Sequence, residues 1–156
     1  MNLINMKKIL IVDDQYALRE LVELTLESDY EIIKSESGQD ALKKIEEKVP
    51  DLILLDIMMP SMDGYQLCQI LRSMEKTKNI PIIMFSAKHQ PEDIKKAKDL
   101  GANEYITKPF EPDKLKKKID EILKTDVDQK KEDYENKNNE TSKTTDNRIN
   151  ESLSKF

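Results

Sequence analysis

The sequence predicts a doubly wound α/β domain built on a five-stranded parallel sheet, and three observations predict it. Five short apolar segments alternate strictly with five segments of helical spacing across residues 6–124. The first, third and fourth of the apolar segments are nearly continuous apolar runs, which suits strands covered on both faces. Strict strand-helix alternation then implies parallel pairing through right-handed crossovers.

The elements follow in order along the chain. The first strand is expected over Lys7 to Val12, and Leu18, Leu21, Val22 and Thr25 mark one face of the helix after it. A second strand over Tyr30 to Lys34 leads to Ser37, a helix-start residue, and to the apolar face Ala41, Leu42 and Ile45. The third strand spans Asp51 to Leu55, and Gly64, Leu67, Cys68 and Leu71 then recur at i, i+3, i+4 and i+7. Pro81 to Phe85 is the fourth strand; Pro91-Glu92-Asp93 opens the next helix and Gly101 sits where that helix should end. Asn103 to Thr107 completes the sheet, and Leu115, Ile119 and Ile122 give the last helix its buried face.

Composition sets the boundaries of this domain and of its chemistry. Of the residues after Lys124 only Val127, Tyr134, Ile149, Leu153 and Phe156 are hydrophobic, so residues 125–156 are read as a disordered polar tail, dispensable for folding. The chain has 156 residues, 37% of them charged, and a net charge of −5, which argues against nucleic acid as the main partner because phosphate neutralisation needs a basic excess. No apolar run approaches the roughly 18 residues of a membrane span, and the first residues lack a secretory pattern, so membrane insertion is not expected and the cytoplasm is the default location. One cysteine and one histidine cannot make an intrachain disulfide or a zinc site of Cys/His type. A hard cation held by carboxylates remains open.

In doubly wound sheets ligands bind beyond the carboxyl ends of the strands. The residues there are Asp13 and Asp14 after the first strand, Asp56 after the third, Ser86 after the fourth and Lys108 after the fifth. Three carboxylates converging in one crevice repel one another, and protonation or a divalent cation relieves the repulsion. Magnesium, Mg2+, is the natural occupant, since it takes one or two carboxylates together with phosphate oxygens.

These residues carry a family resemblance that runs from about Lys7 to Lys124. Ile9-Leu10-Ile11-Val12-Asp13-Asp14, Asp51-Leu52-Ile53-Leu54-Leu55-Asp56-Ile57-Met58-Met59-Pro60, Met62-Asp63-Gly64, Ser86-Ala87 and Lys108-Pro109-Phe110 stand in the order and spacing of the receiver domain of two-component response regulators, which this sequence resembles. The single-domain receivers of chemotaxis and relay type are the nearest pattern. The resemblance implies the flavodoxin-like strand order 2-1-3-4-5. It implies that Asp56 is the phosphoacceptor, taking a phosphoryl group from a histidine kinase or histidine phosphotransfer protein. Asp14, Asp56 and the backbone carbonyl of Met58 would hold the magnesium, with Asp13 acting through water or as a further ligand. Lys108 would pair with the Asp56 carboxylate and then with a phosphoryl oxygen, and the Lys108-Pro109 peptide would be cis, holding the lysine toward the crevice. Ser86 and Tyr105 would form the switch, the hydroxyl turning to the phosphoryl group and the tyrosine ring rotating inward.

The residues also allow plainer roles. Cys68 reads as a core hydrophobe and His89 as solvent-exposed; Met58, Met59 and Met62 read as packing and loop residues, since thioethers are poor magnesium ligands. Ser86 could be a strand-end cap and Tyr105 a half-buried strand residue. Met58 and Lys88 occupy positions that tune phosphate lifetime across the family, and neither supplies a group that would orient an attacking water. A flavodoxin-type electron carrier would need a Ser/Thr-rich phosphate loop where Asp13-Asp14-Gln15 stands, and an aspartate-nucleophile phosphatase would need Asp-x-Asp after the first strand. The expectation is therefore a phosphoacceptor module that is not an enzyme and that signals by phosphorylation-dependent protein binding. An intermediate relay carrier and the phosphatase are the alternatives. No DNA-binding or catalytic output domain fits into the polar tail, so output is expected through a downstream protein target, with a phosphorylation-dependent homodimer as a further expectation. The face of the fourth helix, fifth strand and fifth helix, rich in Lys95, Lys96, Lys98 and Lys114 to Lys118, is expected to be basic and to receive an acidic protein surface.

Overall fold

A computed structural model of the protein describes residues 6–123, and the tail expected to be disordered lies outside the described residues. Five strands and five helices alternate: β1 (Lys8–Val12), α1 (Tyr16–Leu26), β2 (Glu31–Ser35), α2 (Gly38–Glu47), β3 (Leu52–Leu55), α3 (Gly64–Ser73), β4 (Ile82–Ser86), α4 (Pro91–Asp99), β5 (Glu104–Thr107) and α5 (Pro112–Leu123). All pairings are parallel and the sheet order is β2-β1-β3-β4-β5, as the resemblance implies. Every strand begins one residue later than the apolar pattern suggested, and β2 and β4 also end one residue later, so that Ser35 closes β2 and Ser86 is the last residue of β4 rather than the first beyond it.

Burial follows strand position. The central strands β3 and β4 are buried throughout, whereas the edge strands β2 and β5 are largely half-buried. One face of the sheet offers Leu10, Val12, Ile53, Leu55, Ile82 and Met84 to a core shared with Ala41 and Ile45 of α2, Leu67, Cys68 and Leu71 of α3 and Ala97 of α4. The alternate residues Ile9, Ile11, Leu52, Leu54, Ile83 and Phe85 are equally buried and point to the opposite face. There α1 and α5 supply Val22, Leu26, Leu115 and Ile119. The Tyr30 hydroxyl donates to Asp120 Oδ1 at 2.5 Å, and Lys116 pairs with Asp29 at 2.6 Å, which ties α5 to the end of α1.

Leu21 departs from expectation. It is 44% exposed while Leu26 is buried, because the inward row of α1 runs through Val22 and Leu26 at i, i+4, and Leu21 sits off that row. Helix starts behave as their residues suggest: the Ser37 hydroxyl accepts from the Asp40 amide at 3.1 Å, and Asp63 and Gln66 form a reciprocal capping box on α3. Gly101, with φ of 103°, ends α4 in the left-handed region. Its carbonyl accepts from Arg72 Nε at 2.9 Å, and the same guanidinium reaches the carbonyls of Thr77 and Ile80 and the side chain of Asn103. Arg72 thus closes the turn between α3 and β4 against the turn before β5.

Candidate functional site

The strand order reverses at β1, whose neighbours are β2 and β3, so the crevice beyond the carboxyl ends of β1 and β3 is where this fold places a ligand. Val12 pairs with Leu55 in register, which sets the next residues, Asp13 and Asp56, side by side. The Asp56 amide continues the ladder by donating to the Val12 carbonyl at 3.0 Å, and the Asp13 amide does the same toward Ser35. Asp13 is fully buried and Asp56 is 3% exposed, while Asp14 stands in solvent. One carboxylate oxygen from each of the three lies within 4.8 Å of the others.

Lys108 enters from β5, its amide bonded to the Ser86 carbonyl and its peptide to Pro109 cis. The ammonium lies 2.7 Å from Asp13 Oδ2 and 3.4 Å from Asp56 Oδ2. The nearer partner is therefore Asp13, where the resemblance implied a pairing with Asp56 first. Asp13 Oδ1 is taken by the Gln15 amide at 2.9 Å, so both oxygens of this buried acid have protein donors. Asp56 Oδ1 accepts from the Met58 amide at 3.3 Å, which draws the backbone of Met58 onto that carboxylate although its side chain is 56% exposed.

Burial, and next the charge of Asp13, hold the Asp56 carboxyl above its ordinary range, against the pull of Lys108. Among the described residues, three carboxylates thus face the one ammonium that pairs with them, and the donors are hard oxygens. A small divalent cation fits that donor set on charge and chemistry. Asp14 offers the exposed carboxylate and Asp56 the under-compensated one, whereas Asp13 is already engaged.

Ser86 and Tyr105 both lie beside the crevice. Ser86 is fully buried, its hydroxyl oxygen accepting from the Lys88 amide at 3.3 Å. The Tyr105 hydroxyl donates to the Lys88 carbonyl at 2.7 Å, and burial, aided by the neighbouring Tyr65, pushes its pKa up to about 12. The tyrosine therefore stays a neutral donor across the physiological range. Cys68 lies away from the site in the core, where burial pushes its thiol up, and His89 is exposed. The face around β5 is less basic than its lysine count suggests. Lys95, Lys114 and Lys118 each have an acid at 2.7, 3.4 and 3.7 Å, and Lys116 turns away to Asp29.

Two site contributions were not read from the sequence. Gly64 donates its amide to the Ile57 carbonyl at 2.9 Å, and a Cβ there would lie 2.2 Å from the carbonyl oxygen of Asp56. Its place in Met62-Asp63-Gly64 and on the apolar face of α3 marks the position without showing this close approach. The ring of Phe85 lies 5.2 Å from the Lys108 ammonium, a contact that no local pattern announces.

Residues 9–120 match the response regulator receiver domain family. The alkaline phosphatase synthesis transcriptional regulatory protein PhoP of Bacillus subtilis is 41% identical over 119 residues, covering 76% of this chain and 49% of PhoP. The phosphate regulon transcriptional regulatory protein PhoB of Pseudomonas aeruginosa is likewise 41% identical over 119 residues, 76% of this chain and 52% of PhoB. The chain thus spans about half the length of these curated relatives. Among solved structures, the Vibrio cholerae chemotaxis protein CheY4 superposes with a TM-score of 0.72 at 34% identity, covering 76% of this chain and 99% of that one. A CheY-like response regulator receiver domain protein from Methanospirillum hungatei gives a TM-score of 0.72 at 32% identity, over 81% and 99% of the two chains.

Proposed function

The chain belongs to the response regulator receiver domain family of two-component signalling, and on that premise we propose that Asp56 accepts a phosphoryl group from a partner's phosphohistidine and that the resulting charge controls binding of a further protein. The observation that carries this reading is the row of buried Asp13 and Asp56 under the Lys108 ammonium, with exposed Asp14 at its rim. An Asp56 carboxylate oxygen attacks phosphorus, the bond from phosphorus to the imidazole nitrogen breaks, and the electron pair leaves with the imidazole, giving a mixed anhydride. Bound magnesium supplies charge neutralisation for the phosphoryl oxygens. Asp14 and Asp56, with the Met58 carbonyl, would hold it. Lys108 would exchange a carboxylate oxygen for a phosphoryl oxygen, while burial first and the charge of Asp13 next hold the Asp56 carboxyl above its ordinary range. The chain is the acceptor of the group rather than a turnover enzyme.

Acetyl phosphate tests the reading without a cognate kinase, since acetate then leaves with the electron pair. Incubation with acetyl phosphate and magnesium should add one phosphoryl group by intact mass, and chelation should prevent it. Asp14→Ala should weaken magnesium binding about tenfold or more, because a small hard cation tolerates loss of a charged ligand poorly. A protein that gains no phosphoryl group, or an Asp14→Ala variant that binds magnesium as tightly as the parent, would sink the assignment.

Output is assigned to the face bearing Tyr105. Its hydroxyl is tied to the Lys88 carbonyl in the loop that follows Ser86, so a hydrogen bond from Ser86 to a phosphoryl oxygen would act on the same loop. Tyr105→Ala should leave phosphoryl uptake nearly intact and remove the phosphorylation dependence of partner capture, while Tyr105→Phe, which keeps the ring, should retain most of it. Pull-down with magnesium and beryllofluoride against magnesium alone reads the difference; unchanged dependence in Tyr105→Ala would remove the tyrosine from the switch.

A further inference from the structure

We propose that Phe85 is a positioning residue for Lys108, holding the ammonium over Asp56 through the face of its ring; the proposal deepens the phosphoacceptor reading and rests on it. Register places the residue there. Val12 pairs with Leu55 and Leu55 with Met84, so one step further Asp13, Asp56 and Phe85 lie in one row across β1, β3 and β4. Paired residues of parallel strands share a face, so all three side chains point to the same side of the sheet. Lys108, two residues beyond Ile106, the β5 partner of Phe85, reaches back over this row.

The ammonium has three neighbours in the row: Asp13 at 2.7 Å, Asp56 at 3.4 Å and the Phe85 ring centroid at 5.2 Å. The lysine side chain is only 15% exposed, so little water shares its charge. An aromatic face attracts a cation within about 6 Å, and more strongly where the cation is desolvated. Phe85 is itself fully buried, and the Phe110 ring packs against it at 66° with centroids 5.0 Å apart, which fixes the ring plane. The attraction is not directed along one hydrogen bond. The ammonium can therefore change partners from a carboxylate oxygen to a phosphoryl oxygen and stay in place. An aliphatic residue of similar size would fill the space and offer no such attraction.

The test is a double-mutant cycle on the full chain, reading the rate of phosphorylation by acetyl phosphate and, separately, magnesium affinity by calorimetry. Phe85→Leu is expected to slow phosphorylation about tenfold, the rate equivalent of a desolvated cation–π contact, with magnesium affinity unchanged. In a Lys108→Ala background the same substitution should have no further effect on the rate. Phe85→Met serves as a second aliphatic variant if Phe85→Leu does not give a folded amide spectrum. Wild-type rates in the folded variant, or an equal slowing with and without Lys108, would overturn the positioning role. Lys108→Ala reacting at the wild-type rate would instead overturn the role given to the lysine, so the two failures are distinguishable.

Discussion

Asp56→Asn is expected to take up no phosphoryl group from acetyl phosphate and, at neutral pH, to melt a few degrees above the parent protein. The first effect follows from chemistry, since an amide oxygen is not a competent nucleophile toward phosphorus and cannot form the acyl phosphate. The second follows from burial. Asp56 is 3% exposed and its carboxyl is raised above the ordinary 3.8, by burial first and by Asp13 next. In the unfolded chain the group ionises near 3.8, and in the folded chain it ionises only at higher pH. Between those two values the folded state binds more protons than the unfolded one, so stability falls as pH rises through the window and stays lower above it. The asparagine carries no charge to bury and escapes that loss. Lys108 keeps Asp13 as its partner at 2.7 Å, so the substitution does not orphan the ammonium. Thermal melts of both proteins from acid to neutral pH should therefore diverge upward for Asp56→Asn. Equal melting at pH 7, or lower melting of the variant, would show that Asp56 is better compensated than its surroundings indicate.

Gly64→Ala is expected to destabilise the protein by about 3 kcal/mol, the upper part of the range for overpacking, and to lower the melting midpoint by about 10 °C for a domain of this size. The added Cβ would stand 2.2 Å from the Asp56 carbonyl oxygen and 2.7 Å from Ile57 Cα, both backbone atoms that no rotamer change can move aside. Either the start of α3 shifts or the segment 56–58 does. In both cases the Gly64 amide loses its 2.9 Å bond to the Ile57 carbonyl, and the Met58 amide moves relative to Asp56 Oδ1. Phosphoryl uptake should slow along with the loss of stability, by a displacement that touches no side chain of the site. Gly38→Ala is the useful control, since the atoms nearest its Cβ belong to the Met62 side chain, whose Sδ and Cγ can rotate away, rather than to backbone. A loss below about 1 kcal/mol for Gly64→Ala would mean that the loop yields freely.

The layout of the domain was legible because its signals are local and repeat. Apolar runs as unbroken as those of β3 and β4 have few alternatives to a strand covered on both faces, and Ser37, Pro91 and Gly101 act on helix ends through their own backbone chemistry. Edge elements were less legible. Leu21 fits the helical period of α1 and is still 44% exposed, since periodicity fixes an apolar arc and only the packing of α1 on the sheet selects which row lies at its centre. The lysine-rich face misled in a similar way, because counting charges says nothing of the acids that neighbouring elements bring to them.

By itself, then, the sequence determined the element order, the buried strands and the set of residues at the strand ends, because each depends on residue type and short spacing along the chain. The tertiary structure alone decided how those residues divide their work. Parallel register set Asp13, Asp56 and Phe85 in one row, although Asp13 and Asp56 stand 43 positions apart in the chain. The reach of Lys108 across the sheet made Asp13 its nearer partner, and the approach of α3 to the Asp56 carbonyl left room at position 64 for glycine only. Differences of less than an ångström in the spacing of residues remote in sequence, 2.7 against 3.4 Å for the two partners of Lys108, control those outcomes, and packing, unlike composition or period, is where they are set.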